Sequence, residues 1–532
     1  MIALTVAQIA DIVGGELSGI SRADAERTRV TGTVEFDSRA VADGGLFLAL
    51  PGARTDGHDF AAAAVAAGAV AVLAARPVGV PAIVAPPLQT VDATDAASGA
   101  LEHDTDGSGA AVLAALARLA AAVAAELTAG KLRIIGVTGS SGKTSTKDLL
   151  AAVLAPLGQV IAPPGSFNNE LGHPWTVLRA TSDTDFLILE MSARHPGNIA
   201  ALAAIAPPSI GVVLNVGTAH LGEFGSREVI AATKSELPQS VPASGVVVLN
   251  ADDPAVAAMA DVTAARVVRV SRAAGADVWA GPVTLDEVAR PRFTLHAGAG
   301  EVGQEVDVAL AVHGEHQVSN ALAAAAVAIE CGATLAQVVD ALAGAAPVSA
   351  RRMQVSTRAD GVTVINDAYN ANPDSMAAGL KALAWMARSG GQERSDSGNG
   401  SGGQGRRRSW AVLGEMAELG EDAITEHDRI GRLAVRLDVS RLIVVGTGRS
   451  MSAMHQGAVM EGSWGSESVL VPDADAALEL LRAELEDGDV VLVKASNSAG
   501  LGALADALAA DGPGIPPARE GQRSDTGTRP RA

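Results

Sequence analysis

"IIGVTGSSGKTSTKDLLAAVLAPLG", residues 134–158, joins an apolar strand to an Ala/Leu helix through a small polar loop. Gly139 and Gly142 let backbone amides turn toward an anion, and Ser140, Ser141 and Ser145 add hydroxyls around them. Lys143 is placed to reach a β- or γ-phosphate, Thr144 to ligate Mg²⁺, and the following helix presents the positive end of its dipole. The full eight-residue phosphate loop starts with glycine where this chain has Val137, so the match is to the shorter G-x-x-G-K-T form. Its setting between strand and helix points to a bound nucleoside triphosphate.

Downstream, "DFLILE", "IGVVLN" and "GVVVLN" repeat the pattern of a short apolar run ending in a polar residue. Such runs between helical stretches are expected of a parallel sheet covered on both faces. Ligands of doubly wound sheets gather at the carboxyl ends of the strands, which brings Glu190, Asn215 and Asn250 toward the phosphate loop. Glu190 supplies the oxygen ligand that Mg²⁺ requires. His220 follows another such strand, and Lys234 in "AATKSEL" reads by spacing alone as a solvated helix lysine.

After Pro347 the strand-helix series starts again with "VTVIND", "WAVLGE", "RLIVVG" and "DVVLVKAS". Before the central block, residues 1–96 read as a small α/β unit, in which "FAAAAVAAGAVAVLAA" is too short to span a bilayer and predicts a buried helix followed by a strand. The expectation is an α/β chain of three domains: 1–96; a central doubly wound parallel-sheet domain, 110–346, opening on a helix over 110–128; and a Rossmann-like domain, 347–511. Segment 97–109 predicts a loose surface loop, while 388–409 and 512–532 predict disorder, with Arg406, Arg407 and Arg408 solvated.

Across 532 residues, 48% are apolar, enough for more than one core, and the formal charge of −20 argues against a nucleic-acid footprint. One cysteine, Cys331, excludes an internal disulfide and any multi-thiolate metal site. The opening "MIALTVAQIADIVGGEL" has no basic segment and does not read as a signal peptide, so a cytoplasmic protein without membrane insertion is expected.

Taken together, "TGSSGKTS", "FNNELGHP", "LEMSARHPG", "NVGTAHL", "LNADDP", "GEHQVSNALAA", "DAYNANPDSM" and "LGEMAELGEDAITEH" resemble the Mur ligases of peptidoglycan synthesis, in order over roughly residues 30 to 500. "DAYNANPDS" and "LGEMAELG" resemble the branch that joins D-alanyl-D-alanine to UDP-N-acetylmuramoyl-tripeptide. Tyr369, inside the first of these, is the only tyrosine in the chain. The resemblance implies ATP and Mg²⁺ as cofactors and a monomer that makes an amide bond through an acyl phosphate.

For single residues it implies that Gly139 to Ser145 hold the ATP phosphates, with Thr144 and Glu190 on a first Mg²⁺ and His220 on a second metal. Lys234 matches a lysine that family members carbamylate, which turns a cation into a metal-supporting carboxylate. His316 and Asn320 resemble adenine contacts, and Asn250, Arg352 and Asp367 would approach the ribose or phosphates. Asp37, Ser38 and Arg39 resemble part of the uridine-diphosphate site, Asn168 and Asn169 contacts to the muramoyl-peptide, and Tyr369, Asn370 and Asn372 neighbours of the dipeptide. His427 and Asp374 are candidates for the base that takes the amine's proton.

One departure stands out: a "K-G-S-R" stretch is expected where the chain has Lys494-Ala495-Ser496-Asn497. Asparagine cannot replace the arginine's charge toward a carboxylate. Competing readings are a relative adding a single amino acid, diaminopimelate or lysine, and more remotely a phosphate-loop kinase or nucleotide-dependent binding module.

Overall fold

Strand Arg133–Thr138 lies near the middle of a ten-stranded sheet, with Phe186–Glu190 and Val160–Ile161 on one side and Ile210–Val213, Val246–Asn250, Arg266–Ser271 and Val278–Ala280 on the other, all parallel. The chain runs outward from this strand in both directions, so the sheet's topological switch point falls at its carboxyl end, where the phosphate loop begins. The computed structural model describes residues 1–88, 101, 103–218, 221–298, 303–389, 406–462 and 467–511.

Alternation of side chains along these strands separates two cores. Ile134, Leu187, Leu189 and Val213 face one side of the sheet. Ile135, Val137, Ile188 and Val212 face the other, against Leu150 and Val153 of the phosphate-loop helix and the alanine-rich helix Gln317–Glu330. The continuous apolar runs are thus explained by burial on both faces. Beyond the parallel strands the sheet continues into antiparallel Pro291–Ala297, paired with Val278–Ala280, Thr284–Leu285 and Gln304–Ala309, an extension not foreseen from sequence.

The N-terminal sheet has five strands in the order Glu16–Ser18, Ala82–Val84, Ala69–Ala74, Gly45–Leu48, Val34–Glu35. As expected, helix Ala61–Ala66 leads into strand Ala69–Ala74. The C-terminal sheet runs Gln354–Thr357, Thr363–Asn366, Val490–Lys494, Ser409–Leu413, Arg441–Val445, Ser468–Val471, parallel except for its first strand.

Helix Ser108–Thr128 is long and apolar enough to cross a membrane, yet it packs against helices Val6–Val13, Gly172–Val177 and Asn198–Ile205. One core runs through it from Val6 and Ile9 to Leu187 and Leu202, tying the N-terminal unit to the central sheet. Trp175 adds a polar tie, donating from Nε1 to the Val34 carbonyl at 2.7 Å while its ring meets Phe36 edge-on and Phe167 at a tilt.

Two loop expectations need correcting. The helix expected from Ala110 starts at Ser108, because the Asp104 carboxylate accepts from the Ala110 amide at 2.8 Å and Leu101 is buried, so this part of 97–109 is a built helix start. The rest of that segment, 97–100 and 102, lies outside the described residues, as do 390–405 and the tail 512–532. Arg406, Arg407 and Arg408 are not simply solvated. Arg407 donates to the Gly361 carbonyl at 3.1 Å and Thr363 Oγ1 at 2.7 Å, Arg408 grips the buried Asp489 carboxylate at 3.0 and 2.7 Å, and Arg406 pairs with Asp438. They staple strand ends of the C-terminal sheet.

Candidate active site

The carboxyl ends of the central strands open into a cavity of about 1000 Å³ whose opposite wall is the C-terminal domain. The phosphate loop is its floor. Gly142 sits at φ +84°, and a Cβ there would lie 2.7 Å from Asn320 Oδ1, so glycine is required both by the backbone and by the approach of helix Gln317–Glu330. Asn215 fixes the loop: its Oδ1 accepts from the Ser141 amide at 2.9 Å and its Nδ2 donates to the Ser141 carbonyl at 3.1 Å. Ser140 Oγ accepts from the Gly217 amide at 2.9 Å. In the sequence Asn215 is legible only as the polar end of an apolar run, without this role.

Lys143 Nζ curls onto the Gly139 carbonyl at 2.7 Å. Burial lowers its pKa to about 8, against the opposing pull of Glu190. Thr144 Oγ1 donates to Glu190 Oε2 at 3.2 Å and accepts from Arg352 Nη2 at 3.3 Å. Glu190 is fully buried and its carboxyl pKa is raised, burial outweighing Lys143, Lys147 and Arg352. Its Oε1 has no hydrogen-bond partner, an exception that calls for a ligand.

That orphaned oxygen and the Thr144 hydroxyl fit a hard, oxygen-seeking divalent cation. Among the described residues no three His, Cys, Asp or Glu side chains converge, so such a cation would complete its shell with phosphate oxygens and water, as Mg²⁺ does. Lys234, on helix Arg227–Ser240, is buried rather than solvated, and burial, then Lys143, lower its pKa to about 7. His220 lies outside the described residues.

Ser145, Asn250, His316 and Asn320 line the cavity on the central-domain side. Asn250 Nδ2 donates to the Leu214 carbonyl at 2.9 Å, and Asn320 Nδ2 to Gln317 Oε1 at 2.8 Å. Across the cavity, Arg352 lies over the Tyr369 ring, 4.2 Å from its centre. Asp367 accepts from the Met353 amide at 3.0 Å and pairs with buried Lys494 at 2.6 Å, and Lys494 also donates to the Asn370 carbonyl at 3.0 Å. Lys494 was not among the expected site residues. Asn372 lines the same wall but its Oδ1 accepts from the Ser375 amide at 2.8 Å, starting helix Pro373–Ser389.

Asn168 and Asn169 line a third side, Asn168 Nδ2 lying 3.5 Å from Glu190 Oε2. Asp37 and Arg39 form an exposed pair at 2.7 Å outside the cavity, with Ser38 between them. Their neighbour Phe36 packs on Phe167, ring centres 6.3 Å apart, which sets that segment beside Asn168. Of the two base candidates, His427 is excluded: it is buried away from the cavity, with Nδ1 donating to the Ala423 carbonyl at 2.6 Å and Nε2 accepting from the Met416 amide at 2.9 Å. Asp374 lines the cavity.

Comparison with known proteins agrees with this arrangement. The Mur ligase middle domain matches residues 137–328, the Mur ligase glutamate ligase domain 399–497, and the Mur ligase family catalytic domain 32–123. A Mycobacterium tuberculosis protein named UDP-N-acetylmuramoyl-tripeptide:D-alanyl-D-alanine ligase is 73% identical over 522 residues, covering 96% of this chain and 98% of its own. A crystal structure of MurF from Acinetobacter baumannii superposes with a TM-score of 0.75 at 27% identity, covering 96% of this chain and 99% of that one. MurF from Thermotoga maritima in complex with ADP gives 0.69 at 26% identity, covering 90% and 97%. With relatives this close spanning nearly its whole length, the chain belongs to the Mur ligase family.

Proposed function

We propose that this chain joins D-alanyl-D-alanine to the terminal carboxylate of UDP-N-acetylmuramoyl-tripeptide at the expense of ATP. The observation that carries the reading is one cavity in which the phosphate loop of the central domain, backed by buried Glu190 through Thr144, faces Arg352, Tyr369 and Lys494 across the domain junction. Supporting it are the printed activity of the 73%-identical relative and the ADP-bound neighbour. In this assignment residues 1–96 hold the nucleotide sugar through Asp37, Ser38 and Arg39, residues 110–346 hold ATP, and residues 347–511 bring the dipeptide.

A carboxylate resists nucleophiles because of its charge, so it must be activated first. An oxygen of the tripeptide carboxylate attacks the γ-phosphorus, the bond from γ-phosphorus to the bridging oxygen breaks, and ADP leaves, giving an acyl phosphate. Two anions meet in this step. Lys143, the loop amides and Arg352 offset their repulsion. The dipeptide amine then attacks the acyl carbon, and the tetrahedral adduct expels inorganic phosphate. Asp374, on the cavity wall, is our candidate for the group that takes the amine's proton.

Mg²⁺ would be held by Thr144 and Glu190, with His220 serving a second ion, and supplies charge neutralisation at the phosphates. Lys234 is our candidate for carbamylation. A pKa near 7 leaves a large neutral fraction, and its amine nitrogen can then add to CO₂ with loss of a proton, forming a carbamate. The nucleotide substrates and the single cysteine support a cytoplasmic enzyme, and we take it to act as a monomer.

The test is incubation with ATP, Mg²⁺, UDP-N-acetylmuramoyl-tripeptide and D-alanyl-D-alanine, followed by mass analysis. The pentapeptide product is expected, and Lys143→Ala should abolish it. Turnover with diaminopimelate or lysine but none with the dipeptide would assign the chain to another branch.

A further inference from the structure

The loss of arginine at position 497 raises the question of what receives the dipeptide's carboxylate. A carboxylate entering the cavity loses part of its hydration and gains from a cation in return. Among the described residues five cationic side chains line the cavity. Lys143 and Arg352 belong to the phosphate floor, contacting Gly139 and Thr144 respectively. Lys494 is bound to Asp367, and Arg272, at the end of strand Arg266–Ser271, pairs with Glu315 beside His316 on the nucleotide side. The fifth, Arg194, is also paired, with Glu418, but unlike buried Lys494 it keeps 39% of its side chain exposed, and it lies on the wall that carries Asn497.

Arg194 lies four residues beyond Glu190, on the loop that leaves the central sheet toward the C-terminal domain. Asn198 Oδ1 accepts from the amides of both Arg194 and His195, at 3.1 and 2.9 Å, so the backbone that presents the guanidinium is fixed. Across the domain junction its Nη2 donates to Glu418 Oε1 at 3.0 Å. Glu418 holds a left-handed backbone conformation, φ +63°, a strained setting for a non-glycine residue. The amide of the preceding Ala417 donates to Ser496 Oγ at 2.9 Å, and Ser496 adjoins Asn497. Arg194, Glu418 and Asn497 therefore share one wall of the cavity, contributed from two domains.

We propose that Arg194 is the residue that recognises the carboxylate of the incoming dipeptide, its guanidinium standing on the central domain in place of the one expected at Asn497. Glu418 orients it before the dipeptide arrives. This inference rests on the ligase reading given above. A planar guanidinium can hold a carboxylate through two parallel hydrogen bonds, which asparagine cannot do with charge. The position also makes carboxylate binding depend on the two domains being together.

The experiment compares D-alanyl-D-alanine with its C-terminal amide as acceptors, in the wild-type chain and in Arg194→Gln, Arg194→Lys and Arg194→Gln/Asn497→Arg. Formation of the pentapeptide by the wild type is scored first, and its absence would overturn the ligase reading rather than this assignment. The wild type should prefer acid over amide by roughly tenfold to a hundredfold in kcat/KM, the range for hydrogen bonds to a charged partner. Arg194→Gln should lose that preference while the KM for ATP is unchanged, Arg194→Lys should keep part of it, and the double variant should regain it. If Arg194→Gln keeps the preference, or if the KM values for ATP and dipeptide rise together, Arg194 is only an interdomain tie and the proposal fails.

Discussion

Arg352 lies 4.2 Å from the centre of the Tyr369 ring while its Nη2 donates to Thr144 Oγ1 at 3.3 Å, so one side chain joins the C-terminal wall of the cavity to the phosphate loop. The ring face, not the hydroxyl, makes this contact. Tyr369→Phe should therefore retain most activity, whereas Tyr369→Ala should cost about 1–2 kcal/mol, roughly tenfold in kcat/KM, by freeing the guanidinium. Steady-state kinetics with all three substrates checks this, and equal losses in both variants would contradict it.

The orphaned Glu190 Oε1 leads to a metal-linked prediction. Glu190→Gln keeps the shape and removes the charge, so kcat should fall by about a hundredfold or more. ADP binding measured calorimetrically in chelator should be similar in wild type and variant, since the loop amides and Lys143 remain. Added Mg²⁺ should tighten ADP binding only in the wild type.

The Asp367–Lys494 pair is almost fully buried at 2.6 Å. Lys494→Met should destabilise the C-terminal domain by about 3–5 kcal/mol by stranding the carboxylate. Replacing Asp367 by Leu in the same chain should recover most of that loss. Urea unfolding of the two variants measures the difference.

Much of the cavity floor is legible in the sequence because its signals are local. The glycines, lysine and threonine of the loop are neighbours in sequence, and Glu190 ends an apolar run whose burial on both faces demanded a parallel sheet. What was missed depends on partners distant along the chain. Lys494 meets Asp367 across 127 positions and Arg408 meets Asp489 across 81, so a run of arginines that reads as solvated is in fact tied down. Asn215 acts only because strand Ile210–Val213 lies beside Arg133–Thr138, a neighbour relation that periodicity does not encode. Position 497 could be marked as anomalous, but Arg194, 303 positions earlier, offered no local sign of standing on the same wall.

His173 supplies a pH prediction. It is fully buried in helix Gly172–Val177, and its ring nitrogens face the Glu190 and Leu202 carbonyls without closing a hydrogen bond to either. Burial lowers its pKa to about 4. The unfolded chain takes up this proton near pH 6.5 and the folded chain only near 4, so stability is lost as pH falls through that window. The loss from this group should reach about 2 kcal/mol by pH 5, and His173→Leu should flatten the slope of the thermal midpoint between pH 7 and 5. An unchanged slope would mean that the imidazole gains a partner when protonated.

The central claim, that the tripeptide carboxylate is phosphorylated before the amide forms, is tested most directly by labelling both terminal carboxylate oxygens of UDP-N-acetylmuramoyl-tripeptide with ¹⁸O and analysing the released phosphate by mass. An acyl phosphate hands one carboxylate oxygen to phosphate when the amine displaces it, so every phosphate released with pentapeptide should carry one label. Unlabelled phosphate accompanying pentapeptide formation would contradict the account.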